Sequence, residues 1–411
     1  MGTEIARNRR VECHGVAPAA PASIMAWREG GTVSVACRHR RMILQASLLA
    51  LPALALAAET VDECESGAGW RPLSGRPTPR VETTSAGHDG GALRLSFFES
   101  REASFVGRAV AANEDWDRAA GLSFWLKGDG SENFLAVTLL DESLTRRHAA
   151  LVGLRSKEWQ QVRLRWDDFV PETFASDWFG EPEARMRPSD VRALWFGRWF
   201  YLRPWSSCSF ELDRICLEER LPAPPDRPSE DCGLARTLAK LKARQEVTIA
   251  ALGDSITNGF RLERPERDAW PAQLQKLLRK RFDYKAIQVR NLGIGGLETR
   301  QAIALLPRDI GAAPPDLAIA HFGYNDLTAM EERRIPEAAR NGIAARNLRE
   351  LVQRIRRVSC GRTDVLLVAT VPAGPQALFT QLPDGRQDIS HPHAEGQRVF
   401  AEALLAAFDA P

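Results

Sequence analysis

Gly253-Asp254-Ser255-Ile256-Thr257-Asn258-Gly259 follows the run Val247-Thr248-Ile249-Ala250-Ala251-Leu252 and precedes a helical stretch. The run is short, apolar and rich in strand-formers, the pattern of a strand buried within a parallel sheet. A serine at the end of such a strand stands at the mouth of the sheet. There its hydroxyl can meet a substrate, and amides at a helix start can stabilise negative charge. Alone, a glycine-serine turn is an ordinary strand-to-helix junction. Three blocks downstream give it another meaning.

The first is Asn291-Leu292-Gly293-Ile294-Gly295-Gly296, after the apolar run Ile287-Gln288-Val289. Glycines there let a backbone N–H approach a bound carbonyl with no side chain in the way. The second is Gly323-Tyr324-Asn325-Asp326, which ends a buried-strand pattern from Asp316 to Phe322. The third is Asp388-Ile389-Ser390-His391-Pro392, placed on a turn before the apolar-periodic run Val399 to Phe408. Pro392 suits the opening of that last helix. A carboxylate three residues before an imidazole can hold its far nitrogen, so that the near one accepts a proton.

These four blocks resemble the SGNH (GDSL-type) hydrolase superfamily over about residues 245 to 410, each catalytic residue type falling in its own block and in order. The resemblance implies Ser255 as nucleophile, His391 as general base and then acid, and Asp388 as the residue that orients the imidazole. It implies an oxyanion hole from the N–H of Ser255, the N–H of Gly296 and the side-chain amide of Asn325. Acyl transfer concentrates charge on one oxygen, and losing one such donor costs roughly 3 to 4 kcal/mol of barrier. The implied fold is a three-layer α/β domain. One departure stands out. Family members carry a further helix and strand before the Asp-His block, and Gln376 to Gln387 is too short and polar to hold both. The expected sheet is therefore trimmed to four parallel strands, or four and a very short fifth.

Neighbouring residues have ordinary readings. Asp254 is expected to hydrogen-bond its turn, His321 to be a satisfied core or rim histidine, Asp384-Gly385 to be a tight turn, and His393 to decorate the final helix.

The chain has 411 residues, more than one ordinary domain holds, and a formal net charge of +2 with both signs interspersed. Nothing argues for a nucleic-acid partner. Arginine far outnumbers lysine, which suggests a GC-rich bacterial genome. No phosphate-cradling loop or Cys/His cluster of metal spacing is present, and the chemistry above needs neither cofactor nor metal.

Residues 1–57 read as a leader. Met42 to Ala57 is a short apolar run behind Arg38-His39-Arg40-Arg41 and ends in Ala55-Leu56-Ala57, the form of a secretory signal cleaved after Ala57. It is short for a membrane span. The expected location is secreted or periplasmic, with no integral membrane segment after cleavage. Cys64, Cys208, Cys216, Cys232 and Cys360 remain in the mature chain, an odd number. Pairing of Cys64 with Cys208 or Cys216 would tie the first domain's ends together.

Residues 58–220 change to short runs separated by turn-formers such as Gly128-Asp129-Gly130, among them Ala92 to Phe98, Phe134 to Leu140 and Cys208 to Leu217. That predicts an antiparallel β-sandwich. The order Gly121 to Gly130, then Trp159-Gln160, then Phe210 to Asp213 resembles galactose-binding-like jelly rolls, a fold shared with carbohydrate-binding modules. Nine of the eleven tryptophans lie here. Strand alternation puts Trp195, Trp199 and Tyr201 on one face and Leu194, Phe196 and Phe200 on the other. Those three, with Trp178 and Trp205 in loop-like sequence, are candidate sugar contacts; packing alone would also account for such aromatics. A Pro-rich segment and a helix (221–245) then lead into the hydrolase domain (246–411).

The expected function is removal of small acyl groups, acetyl first, from carbohydrate by a Ser-His-Asp acyl-enzyme mechanism. The alternatives are a lipid-directed esterase or lysophospholipase, and a carbohydrate-binding protein whose trimmed hydrolase domain is inactive.

Overall fold

The computed structural model describes residues 59–171 (without 145), 187–199, 202, 204–221, 233–368 (without 312 and 333), 379–381 and 387–408. The expected leader, including Met42 to Ala57, lies outside them, as do Trp178, Tyr201 and the Asp384-Gly385 turn.

Two antiparallel six-stranded sheets come first. Sheet one holds β1 (Glu59–Asp62), β3 (Arg80–Thr84), β4 (Ala92–Phe97), β6 (Gly121–Gly128), β9 (Gln160–Arg165) and β12 (Cys208–Glu218), running β3-β4-β12-β6-β9 with β1 on β12. Sheet two runs β10-β8-β7-β11-β5-β2, from β2 (Arg71–Ser74), β5 (Ser104–Ala109), β7 (Phe134–Leu140), β8 (Arg147–Gly153), β10 (Val170–Pro171) and β11 (Ala193–Arg198). Alternation turns Leu93, Leu95, Phe124, Phe210 and Leu212 of sheet one toward Val106, Val137, Leu194 and Phe196 of sheet two. This is the expected sandwich.

The third sheet is parallel and has four strands in the order β14-β13-β15-β16: β13 (Val247–Gly253), β14 (Ile287–Asn291), β15 (Leu317–His321) and β16 (Asp364–Val368). The trimmed sheet expected from the sequence is what forms. Beyond β16 the described residues hold β17 (Phe379–Gln381) and β18 (Gln387–Pro392), which pair as an antiparallel ribbon, so the block from Asp388 to Pro392, expected on a turn, lies in a strand. Helices α2 (Ala235–Lys242), α3 (Ser255–Asn258), α4 (Pro265–Asp268), α5 (Trp270–Phe282), α6 (Thr299–Leu306), α7 (Tyr324–Glu332), α8 (Glu337–Val358) and α9 (Ala394–Leu405) cover the sheet, α1 (Glu114–Arg118) belonging to the sandwich. Helix α9 opens at Ala394, two residues later than Pro392 suggested, because Pro392 still pairs in β18. The His393 side chain caps it by accepting from the amides of Glu395 and Gly396.

One apolar core spans both parts. Phe105, Phe134, Ala136 and Leu151, on the outer face of sheet two, join Trp199 and Leu202 in packing with Leu297, Ile303, Leu306, Leu351 and Ile355. All eight residues of α6 are therefore buried, and every residue of β7 is buried on whichever face it points to. At the rim, Arg357 Nη1 lies 3.8 Å from Asp168 Oδ1.

This seam corrects one expectation. Leu194 and Phe196 do face opposite to Trp195 and Trp199, but both sides of β11 are occupied. Trp199 is 5% exposed and Trp195 half-buried, packed against the shared core with Arg147 over both rings. Neither presents an open platform, because the α/β layer covers that face. Trp205 is half-buried beneath Arg101, 4.9 Å from its ring centroid. The cysteine expectation fails as well. Cys64, Cys208 and Cys216 are free. Cys64 Sγ faces the Asp62 carbonyl, and Cys216 Sγ faces Thr60 Oγ1 across the β1–β12 pairing.

Candidate active site

Strand β13 is central, and its last residue, Gly253, must be glycine. A Cβ there would lie 2.0 Å from Thr257 Oγ1 and 2.9 Å from the His321 carbonyl oxygen. This close approach lets the chain turn at once into α3, with Asp254 as N-cap: its Oδ1 accepts from the Ile256 amide at 2.9 Å. The helix behind Ser255 is a single turn. It stops at Gly259, whose φ of 81° is left-handed, and the Phe260 amide closes back onto the Ser255 carbonyl at 3.0 Å. Thr257, where an α/β-hydrolase elbow has its second glycine, turns its hydroxyl to the Trp270 indole N–H at 3.3 Å. The buried Gln397 of α9 locks the turn from behind, donating to the Ile256 carbonyl at 3.1 Å and accepting from the Trp270 amide at 2.9 Å.

Against this turn β18 brings the Asp-His block. Ser255 Oγ and His391 Nε2 are 2.9 Å apart, and His391 Nδ1 is 2.7 Å from Asp388 Oδ2. Asp388 is saturated with donors. Its Oδ1 accepts the amides of Ser390 (2.9 Å) and His391 (3.1 Å), and its Oδ2 also takes Arg261 Nε at 2.8 Å. Burial would raise this carboxyl, but the Ser390 amide and the His391 ring outweigh it and hold it below the ordinary range. This carboxyl is thus ionised at neutral pH.

The glycine block supplies an exposed corner. Gly296 has φ 76°, and a Cβ at Gly295 would come within 3.9 Å of Ser255 Cβ. Asn325, the second residue of α7, lies beside it. Its Nδ2 donates to the Leu297 carbonyl at 3.1 Å and faces Asp254 Oδ2 at 3.5 Å. Both amide protons thus have protein partners, the second at a stretched distance. Beneath lie two buried carboxyls. Burial pushes Asp254 up to about 6 against the pull of the Ile256 amide, and burial raises Asp326, which accepts from the Thr299 amide and hydroxyl. His321 is in the core as expected but is not satisfied: neither ring nitrogen has a hydrogen-bond partner among the described residues, and burial lowers it to about 4.

Two neighbours of the histidine escaped the sequence reading. Phe260 is 49% exposed, and its ring centroid is 5.1 Å from that of His391, tilted 62°. Arg261, at a left-handed φ of 68°, reaches Asp388 and lies over Phe260 with Cζ 5.3 Å from the ring centroid. Nothing local announces them. A positively charged residue four positions beyond Thr257 acquires its meaning only when β18 arrives from far along the chain.

A serine, an imidazole and a carboxylate in hydrogen-bonded line at the mouth of a parallel sheet can activate the serine for attack on a carbonyl. Residues 251–403 match the GDSL-like Lipase/Acylhydrolase family. The C-terminal part is an acylhydrolase domain of that type. No curated protein matches the chain. Among solved structures, the family 11 carbohydrate-binding module from Clostridium thermocellum, in complex with a mixed-linked tetrasaccharide, is 16% identical with a TM-score of 0.33, covering 40% of this chain and 97% of its own. A two-domain esterase (CEX) active on acetylated mannans is 21% identical with a TM-score of 0.35, covering 43% of this chain and 52% of its own. An acetyl-xylooligosaccharide esterase from Geobacillus Stearmophilus is 20% identical with a TM-score of 0.29, covering 40% and 95%.

Proposed function

We propose that the acylhydrolase domain is a serine esterase that removes small acyl groups, acetyl first, from carbohydrate. The observation that carries the reading is the line Ser255 Oγ to His391 Nε2 to Asp388 Oδ2, at 2.9 and 2.7 Å. His391 Nε2 takes the Ser255 proton as Oγ bonds to the ester carbon, and the carbonyl oxygen becomes an oxyanion. The amides of Ser255 and Gly296 and the Asn325 side chain receive that charge, Asn325 giving up its long contact to Asp254. Collapse breaks the carbon–oxygen bond to the alcohol, which leaves with the proton from His391. A water, deprotonated by His391, then attacks the acyl-enzyme and releases the acid and Ser255. Asp388 stays ionised and stabilises the imidazolium at each step.

A small acyl group fits better than a lipid. Among the described residues the exposed large hydrophobics are Leu73, Leu144, Phe260 and Val399, and of these only Phe260 neighbours the histidine. A lipid-directed enzyme needs a contiguous apolar surface for its chain. The sandwich, packed on α6, would hold a polymer near Ser255 and raise its effective concentration. Export by Met42 to Ala57 would bring the enzyme to such a polymer, with a mature start near Ala58 readable by N-terminal sequencing.

The test is a panel of aryl esters from acetyl to long-chain, with acetylated polysaccharide, on purified protein. Acetyl should give the highest kcat/KM. A preference for octanoyl or longer would hand the case to the lipid reading, and no turnover of any ester to the binding-protein reading.

A further inference from the structure

We propose that Phe260 is the subsite for the alcohol half of the ester, presenting a flat face to the apolar side of a pyranose ring that carries the acyl group. The proposal rests on the esterase reading above and goes beyond it by saying where the sugar lies. His391 must hand its proton to the departing alcohol oxygen, so the alcohol lies on the imidazole side of Ser255, away from the Gly296 corner that takes the carbonyl oxygen. On that side stands Phe260, whose ring meets His391 at 5.1 Å yet remains 49% exposed.

Its exposure is built in. The α3 turn ends at left-handed Gly259, where a Cβ would fall 2.8 Å from Ala269 Cβ. Arg261 is also left-handed, a conformation that a non-glycine residue keeps only when something holds it there. Its Nε bond to Asp388 holds it there, with the guanidinium over the Phe260 ring. Phe260, His391, Asp388 and Arg261 thus form a closed circuit of contacts. An aromatic ring whose position is fixed by both the nucleophile's turn and the histidine's carboxylate is placed to a tolerance a loose surface phenylalanine would not have. Sheet two cannot supply the platform, because its outer aromatics are covered by the α/β layer.

The experiment uses the full chain with two acetates that share the acyl group and differ in the alcohol: an acetylated methyl glucopyranoside and ethyl acetate. The readout is the ratio of their kcat/KM values. Phe260→Ala and Phe260→Leu should each lower that ratio by about two- to tenfold, the range expected for loss of one aromatic contact, with the change in KM for the sugar ester. Leucine keeps an apolar neighbour for His391 without a flat face, so its agreement with alanine separates stacking from packing. Phe260→Trp should restore the ratio. A ratio unchanged in both variants, with both rates falling together, overturns the subsite and leaves Phe260 as support for His391. Wild-type protein that shows no preference for the sugar ester overturns the subsite as well, while the serine mechanism stands. Wild-type protein inert on every ester fells the underlying reading, and the subsite with it.

Discussion

Tyr324 Oη and Ser390 Oγ lie 2.6 Å apart, joining the helix that begins with Asn325's neighbour to the strand that carries His391. The Asn325 side and the His391 side of the site are thus fastened to each other directly, across the mouth of the sheet. Tyr324→Phe removes the bond and keeps the ring. We expect kcat to fall by about three- to tenfold with KM little changed, as for loss of one hydrogen bond that aligns both groups. Steady-state kinetics on an aryl acetate checks it, and an unchanged kcat would mean the bond is incidental.

Ser255→Ala should abolish ester hydrolysis, by on the order of 10⁴- to 10⁶-fold, with folding intact because its side chain is half-exposed. His391→Ala should be nearly as severe and Asp388→Ala milder, since the orienting acid alone often costs less. Burst kinetics and circular dichroism read the two halves of this statement. Turnover of Ser255→Ala like the wild type removes the mechanism.

Arg261 joins backbone strain to alignment of the carboxylate. Arg261→Gly and Arg261→Ala should both lose about three- to tenfold in kcat, because Asp388 keeps its two amide donors and His391 but loses one charged donor. Their stabilities should differ. Glycine accepts the left-handed φ of 68° without penalty, so its melting temperature should exceed that of the alanine variant by the equivalent of ~1 kcal/mol. Equal melting temperatures would show that the turn relaxes when the ion pair is gone.

Asp254 gives a pH prediction of definite sign. Burial lifts its carboxyl to about 6, above the ordinary 3.8, so the folded state holds the proton more tightly between those limits. Its contribution to stability is therefore favourable to folding at low pH and is lost as pH rises from about 4 through about 6. Asp254→Asn retains an oxygen to cap Ile256 and removes the buried charge. At pH 8 it should be more stable than wild type by roughly 1–3 kcal/mol, the gap closing by pH 4. Melting temperature against pH measures this. A gap that persists at pH 4 would assign the effect to packing. Asparagine should also weaken the stretched contact that Asn325 makes with this side chain, so kcat is worth following in the same samples.

The seam beneath the sandwich makes a prediction about truncation. Residues 221–411 alone would expose the faces of α6 and α8 that meet Phe105, Phe134 and Trp199. That fragment should aggregate, and the intact chain should unfold in one calorimetric transition. Trp199→Ala should cost about 3–5 kcal/mol, as a large buried aromatic does. A soluble, active fragment would show that the seam is dispensable.

The blocks around Ser255, Gly296 and Asn325 were legible because each follows a parallel strand whose apolar run could be read, and loop ends of parallel strands converge; the block of His391 was legible by residue type and spacing, although it lies in β18 and not on the expected turn. The trimmed sheet and the hydrogen bond of Asp254 to its turn followed from the same local chemistry. The partnership of the sandwich with the α/β layer was not read. Alternation says that Trp195 and Trp199 share a face, but cannot say whether that face meets water or another layer. A hint was present in Phe134-Leu135-Ala136-Val137-Thr138-Leu139-Leu140, a nearly unbroken apolar run that a sheet wet on one side would not tolerate. Phe260 and Arg261 had no such hint, since their roles depend on a hairpin whose approach no local pattern encodes. The cysteines misled because an odd set in a sandwich resembles a framework, while Cys64 and Cys216 are each spent on local contacts.

That unbroken run in β7 also bears on the order of events as the chain is made. The sandwich leaves the ribosome first, complete in its strands, with the outer side of sheet two bare. Its cover does not exist until α6 and the Pro307–Gly311 turn behind it have been synthesised. During that interval the nascent protein carries an adhesive apolar sheet next to unfinished neighbours. A chaperone that met the chain in that interval would meet a surface that the finished fold covers.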